Sequence, residues 1–122
     1  MRRCRVLVVE DDTAFARLVA HWLRRLHYEV FCVTTLAAAI NHVRTNDDLL
    51  CVLLDLRLPD ITEDYDAIPA LVNADTTLPI AVLSGRDDVA MTTITHLGAR
   101  TYLHKNRATP ESLATLIDTL RA

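Results

Sequence analysis

The 122 residues fit one domain, because a second would be too small to bury a core of its own. Half of them are hydrophobic (51%) and few are aromatic (5%), so the core is expected to be built from Leu, Val, Ile and Ala. A formal net charge of −3 gives no reason to expect nucleic-acid or membrane binding; no secretory or transmembrane run follows the basic pair Arg2-Arg3, which points to the cytoplasm.

Five short apolar runs alternate with five helical patterns. Arg5 to Glu10 (RVLVVE) is nearly continuous in hydrophobic residues, as a strand buried on both faces must be. The next stretch places Phe15, Leu18, Val19, Trp22, Leu23 and Leu26 at three- and four-residue steps, one apolar helical stripe with Asp12 or Thr13 as its cap. Tyr28 to Val33 reads as a second strand. Leu36, Ala39, Ile40 and Val43 mark a second helix, followed by the turn Asn46-Asp47-Asp48. Leu49 to Leu54 is a third buried strand that stops at Asp55. A third helix is expected around Ala70-Leu71-Val72, with Pro69 in its first turn, where a missing N–H costs nothing.

Ile80 to Leu83 is the fourth strand, introduced by Pro79. A fourth helical pattern runs through Val89, Ala90, Ile94 and Leu97 and ends at Gly98, a suitable left-handed cap. Thr101 to Leu103 forms a short fifth strand. Thr109-Pro110 then opens a last helix whose stripe is Leu113, Leu116, Ile117 and Leu120. Strands and helices alternating at this spacing predict an α/β domain with a parallel sheet covered on both faces.

In such a sheet, ligands bind at the carboxyl ends of the strands. Those ends carry Glu10-Asp11-Asp12, Asp55, Ser84 and, just past the fifth, Lys105. Two carboxylates about 4 Å apart repel by about 4 kcal/mol at an effective dielectric of 20, so several in one pocket need a cation, a proton or a lysine. A small hard divalent ion such as Mg2+ suits oxygen ligands. With Lys105 for charge and Ser84 as a hydroxyl donor, the set suits phosphoryl transfer onto the Asp55 carboxylate. An acid after a strand also caps helices, and Asp12 is read in that role. The cysteines (Cys4, Cys32, Cys51) lack CxxC spacing and read as small hydrophobes; the five histidines are scattered and read as surface or edge residues.

Four segments, VLVVEDD (6–12), VLLDLRLPD (52–60), IAVLSGRDD (80–88) and GARTYLHK (98–105), together resemble the receiver domain of bacterial two-component response regulators. The resemblance spans essentially the whole chain, residues 1–122, read as one domain that is either a complete protein or a segment of a longer one. It implies a flavodoxin-like (βα)5 fold with strand order 2-1-3-4-5. It implies that Asp55 takes a phosphoryl group from the phosphohistidine of a sensor histidine kinase or phosphotransfer protein. Mg2+ would be held by Asp11 directly, by Glu10 through water, by Asp55 and by the backbone carbonyl of Arg57. Ser84 and Lys105 would contact the phosphoryl group, and Ser84 and Tyr102 would form the switch. The surface of the fourth helix, fourth strand and fifth strand would then signal to an output domain or a downstream protein, with a homodimer also compatible. The domain would be regulatory, not an enzyme in its own right.

The chain departs from the family pattern at three places. Asn106 stands where proline usually follows the lysine, Gly85 replaces a common alanine, and the segment Asp60 to Asp66 lacks glycine and adds negative charge near the pocket. Two other classes remain open on the residues alone. One is a receiver-like interaction module that is never phosphorylated. The other is a phosphohydrolase with an aspartyl nucleophile, although such enzymes carry a second acid where this chain has Arg57.

Overall fold

The computed structural model describes residues 4–121, so Arg2, Arg3 and Ala122 lie outside it. In chain order it runs β1 (Arg5–Val9), α1 (Thr13–Arg25), β2 (Glu29–Val33), α2 (Leu36–Thr45), β3 (Leu49–Leu54), α3 (Ala67–Ala74), β4 (Ile80–Ser84), α4 (Met91–Leu97), β5 (Thr101–His104) and α5 (Pro110–Arg121). A single 3-10 turn, Lys105–Arg107, links β5 to α5. The five strands are parallel and lie in the order β2-β1-β3-β4-β5, as the flavodoxin-like reading requires.

The alternation of side chains along each strand divides the core into two layers. Leu7, Val9, Val52, Leu54, Ile80 and Val82 face one side, where α2, α3 and α4 bring Ala39, Val43, Ile68, Leu71 and Ile94. Val6, Val8, Cys51, Leu53, Ala81 and Leu83 face the other, against Val19 and Leu23 of α1 and Leu113, Ile117 and Leu120 of α5. Each fully buried Leu, Ile or Val removed from water is worth about 1.5–3 kcal/mol, and the central strands are made of little else. Among the described residues, no helix is long and apolar enough to cross a membrane.

The helix starts follow from capping. The Asp12 carboxylate accepts from Phe15 N–H (3.2 Å), and Thr35 Oγ1 accepts from Ala38 N–H (3.1 Å). Thr109 Oγ1 accepts from Ser112 N–H (3.0 Å) while Ser112 Oγ accepts from Thr109 N–H (2.8 Å), a reciprocal box that opens α5. Pro69 falls in the first turn of α3. The start of α4 lies two residues later than the apolar pattern at Val89 implies. The acids that would cap an earlier start are already engaged, Asp87 by His104 and Asp88 by Arg86. Ala90, with no capping side chain, takes the cap position.

The chain order also fixes where a ligand can sit. The chain leaves β1 outward to β2 and returns past it to β3, so the ends of β1 and β3 flank the reversal point of the sheet. Val9 pairs with Leu54 there, and the two residues that follow them are Glu10 and Asp55.

Candidate functional site

Backbone ladder bonds hold both acids in place beyond the paired strands. Asp55 N–H donates to Val9 O (2.9 Å) and Glu10 N–H donates to Val33 O (2.9 Å). Asp55 is 5% exposed and Glu10 3%, whereas Asp11, one residue further out, is exposed. Carboxylate oxygens of Glu10, Asp11 and Asp55 lie within 4.8 Å of one another. Lys105 reaches in from the end of β5: its Nζ pairs with Glu10 Oε1 and stands 3.4 Å from Asp55 Oδ2. Its ammonium also lies 5.0 Å from the centroid of the Phe15 ring, a cation–π contact from the first turn of α1.

Three acids and one lysine do not balance. Burial, reinforced by the adjacent Asp55 carboxylate, pushes the Glu10 carboxyl up to about 7, although Lys105 and the Asp12 N–H pull the other way. Burial alone would lower Lys105, but the Glu10 and Asp55 carboxylates outweigh it and raise its pKa, so the ammonium stays charged. A set of three hard oxygen donors under this strain has the chemistry to hold a divalent cation such as magnesium.

Ser84, the last residue of β4, is fully buried, and its Oγ accepts from Arg86 N–H at 3.2 Å. Tyr102 is partly buried on β5 and donates its hydroxyl to Arg86 O (2.6 Å), with a longer approach to Ser84 O (3.5 Å). Arg57 is exposed, and its N–H donates to Asp55 Oδ1 at 3.3 Å, which steadies the acid from the chain just after it. Glu10, Asp11, Asp55 and Lys105 are therefore one cluster, with Arg57 bonded to it. Ser84 and Tyr102 form a second group joined through Arg86.

Residues 6–118 match the family model described as the response regulator receiver domain. The chain belongs to that family. The receiver domain is 35% identical over 104 residues to the two-component response regulator ORR22 of rice (Oryza sativa subsp. indica), a match covering 83% of this chain and 14% of that protein. It is 33% identical over 104 residues to ARR14 of Arabidopsis thaliana, with 83% of this chain and 27% of that protein covered. It thus spans a small part of the curated relatives it matches. Among solved structures, a CheY-like receiver domain protein from Methanospirillum hungatei superposes with a TM-score of 0.85 at 23% identity, covering 98% of this chain and 94% of that one. The receiver domain of a sensor histidine kinase from Pseudomonas aeruginosa, which has a magnesium ion coordinated in its active-site cleft, gives 0.84 at 22% identity over 98% of each chain. At these identities the two structures establish the fold.

Several contacts of this receiver domain escape a reading of the sequence. Phe15 falls on the apolar stripe of α1, yet it lies in the first turn of that helix, at the strand-end side of the sheet, where its ring meets Lys105. His104 is not a passive edge residue: Nε2 meets Asp87 Oδ1 (2.9 Å) and Nδ1 accepts from Asn106 N–H (3.0 Å). That last bond needs an N–H that proline lacks, so the departure at Asn106 and the histidine go together. His42 is half-buried with its ring 5.0 Å from that of Phe31. Two acids of the segment after β3, Asp60 and Asp64, are also engaged. Asp60 accepts from Leu36 N–H (2.8 Å) and Ala37 N–H (2.9 Å) at the start of α2, which lowers its pKa and helps to cap that helix. Asp64 pairs with Arg86. At Gly85 an alanine methyl would meet Lys105 Cδ at 3.8 Å, an ordinary packing contact that glycine forgoes.

Proposed function

We propose that Asp55 is the phosphoacceptor of this receiver domain and that Glu10, Asp11, Asp55 and the Arg57 carbonyl hold Mg2+. The observation that carries the reading is a buried carboxylate at the end of β3, gathered with two further acids and met by a lysine 3.4 Å away. Magnesium, when bound, supplies positive charge to the oxygens of the transferring phosphoryl group.

The chain's own residues do the rest. An Asp55 carboxylate oxygen forms a bond to phosphorus as the phosphorus–nitrogen bond of the donor phosphohistidine breaks, and the imidazole leaves with the electron pair. Lys105 offers an ammonium to the incoming phosphoryl oxygens; the Phe15 ring and Glu10 keep it at the mouth of the pocket. Ser84 turns its O–H toward one of those oxygens. Tyr102, whose hydroxyl rests on the loop after Ser84, repacks as that loop shifts. The face made by α4, β4 and β5 then differs between the two states. A sensor histidine kinase or phosphotransfer protein stands on the donor side, and an output domain or separate protein reads the result.

Incubation with a small phosphodonor and magnesium should label the wild-type protein and leave Asp55→Asn unlabelled, as followed by intact-mass measurement. Equal labelling of the two would overturn the assignment. No labelling of either would favour the phosphorylation-independent module, and sustained turnover of phosphate esters dependent on Asp55 would favour the hydrolase.

A further inference from the structure

Lys105 reaches the pocket from two strands away. It follows β5, whereas Asp55 follows β3, and β4 lies between them. Two strand spacings are about 10 Å, so a small error in the direction of its Cα–Cβ bond grows into a miss at the ammonium. Packing does little to correct that error on one side of the stem. Gly85 lies there without a side chain, where an alanine methyl would meet Lys105 Cδ at 3.8 Å. The backbone of Lys105 therefore has to do the aiming.

That backbone is shaped by His104. The histidine closes β5 in an extended conformation (φ −70°, ψ 137°), and Lys105 opens the 3-10 turn directly after it. His104 caps the turn: its Nδ1 accepts from Asn106 N–H at 3.0 Å, and Lys105 O accepts from Ala108 N–H at 3.1 Å to close it. An amide N–H can donate only to a ring nitrogen with a free lone pair. The ring proton is thus on Nε2, where it donates to Asp87 Oδ1 at 2.9 Å. Asp87 fixes the ring from the β4–α4 loop while its other nitrogen holds the turn. The side chain is 16% exposed, so water competes little for either bond. A proline at 106 would remove the N–H and disfavour a helical backbone at Lys105. Asn106 permits the turn, and the imidazole selects it over extended backbone.

We propose that His104 is a positioning residue for phosphoryl transfer: it sets the turn from which Lys105 is aimed at the phosphoryl oxygens on Asp55. The inference deepens the reading of Asp55 and Lys105 given above and rests on it. Without the imidazole, Lys105 divides its time between turn and extended backbone, and the turn is the form that carries its ammonium to Asp55. An asparagine at 104 retains the role, because its side-chain oxygen can accept from the N–H two residues on.

The affinity of the full chain for beryllofluoride, a phosphoryl mimic, tests this at saturating magnesium, with binding followed by the fluorine NMR signal. His104→Ala, which removes the cap, should bind the mimic about tenfold more weakly than the wild type. His104→Asn should recover most of that loss. Lys105→Ala should also bind weakly, and adding His104→Ala to it should cost nothing more, because the histidine acts through the lysine. Circular dichroism verifies that each variant is folded. His104→Val, a good strand former with no acceptor, carries the test if His104→Ala does not fold. A histidine that merely supports the fold would weaken binding equally with and without Lys105, and that result would overturn the proposal. So would a folded His104→Ala that binds like the wild type, or a folded His104→Asn as weak as His104→Ala. In each of these cases a weak Lys105→Ala leaves the reading of the site standing. Absence of a bound signal in the wild type, or full binding by Lys105→Ala, would overturn that reading and this inference with it.

Discussion

Glu10 carries the heaviest electrostatic load in the receiver site. It is nearly out of contact with water, shares its space with Asp55, and has its carboxyl pushed up to about 7. An acid whose pKa rises on folding favours the native state below its unfolded value of 4.5, and that contribution fades as the pH rises through about 7. Metal binding runs the other way, because a cation must displace the proton. Magnesium titrations should therefore give roughly tenfold weaker binding one unit below that pKa than one unit above it. Equal affinity on both sides would mean that Glu10 is ionised throughout, with Lys105 alone sufficient to hold it so.

At the scale of elements, Gly98 does two jobs. It ends α4 at φ 117°, donating its N–H to Thr95 O (3.2 Å), and it leaves room for α3, since a Cβ there would stand 2.6 Å from Val72 Cγ2. Gly98→Ala should lower unfolding stability by about 1–3 kcal/mol in urea titrations. An unchanged midpoint would require α4 to end in some other way. The glycine, the strands and the acids at the ends of β1 and β3 are all legible in the sequence, because each depends on residues close by in the chain: an apolar run, a turn residue, one polar group where the run stops. The start of α4 and the cap on α2 are not. Asp60 meets Leu36 across 24 residues of chain, Asp87 is drawn off by His104 of β5, and Asp88 is taken by Arg86 within their own loop. Arg86 is hidden for the same reason, since nothing around Gly85 and Asp87 signals that its side chain pairs with Asp64 or that its carbonyl accepts the Tyr102 hydroxyl.

Across the whole molecule, the two layers of the core divide the labour. α2, α3 and α4 lie on the face of the sheet where Tyr102 packs, whereas α1 and α5 close the other face with Leu23, Leu113, Ile117 and Leu120. The chain's single tryptophan, Trp22, packs against the second layer and borders a cleft with His21, Arg25, Leu26 and Pro110. It lies ten residues beyond Asp12 along α1, about 15 Å down the helix axis from the strand ends. The protein's natural chromophore is thus at the wrong end of the molecule to see the pocket. Its emission should follow the loss of the α1–α5 layer in denaturant yet stay level when magnesium is added. A change in intensity with the metal would reveal that α1 moves as a body. For this receiver the built-in optical signal is a gauge of folding, and a fluorophore for the switch has to be placed by hand.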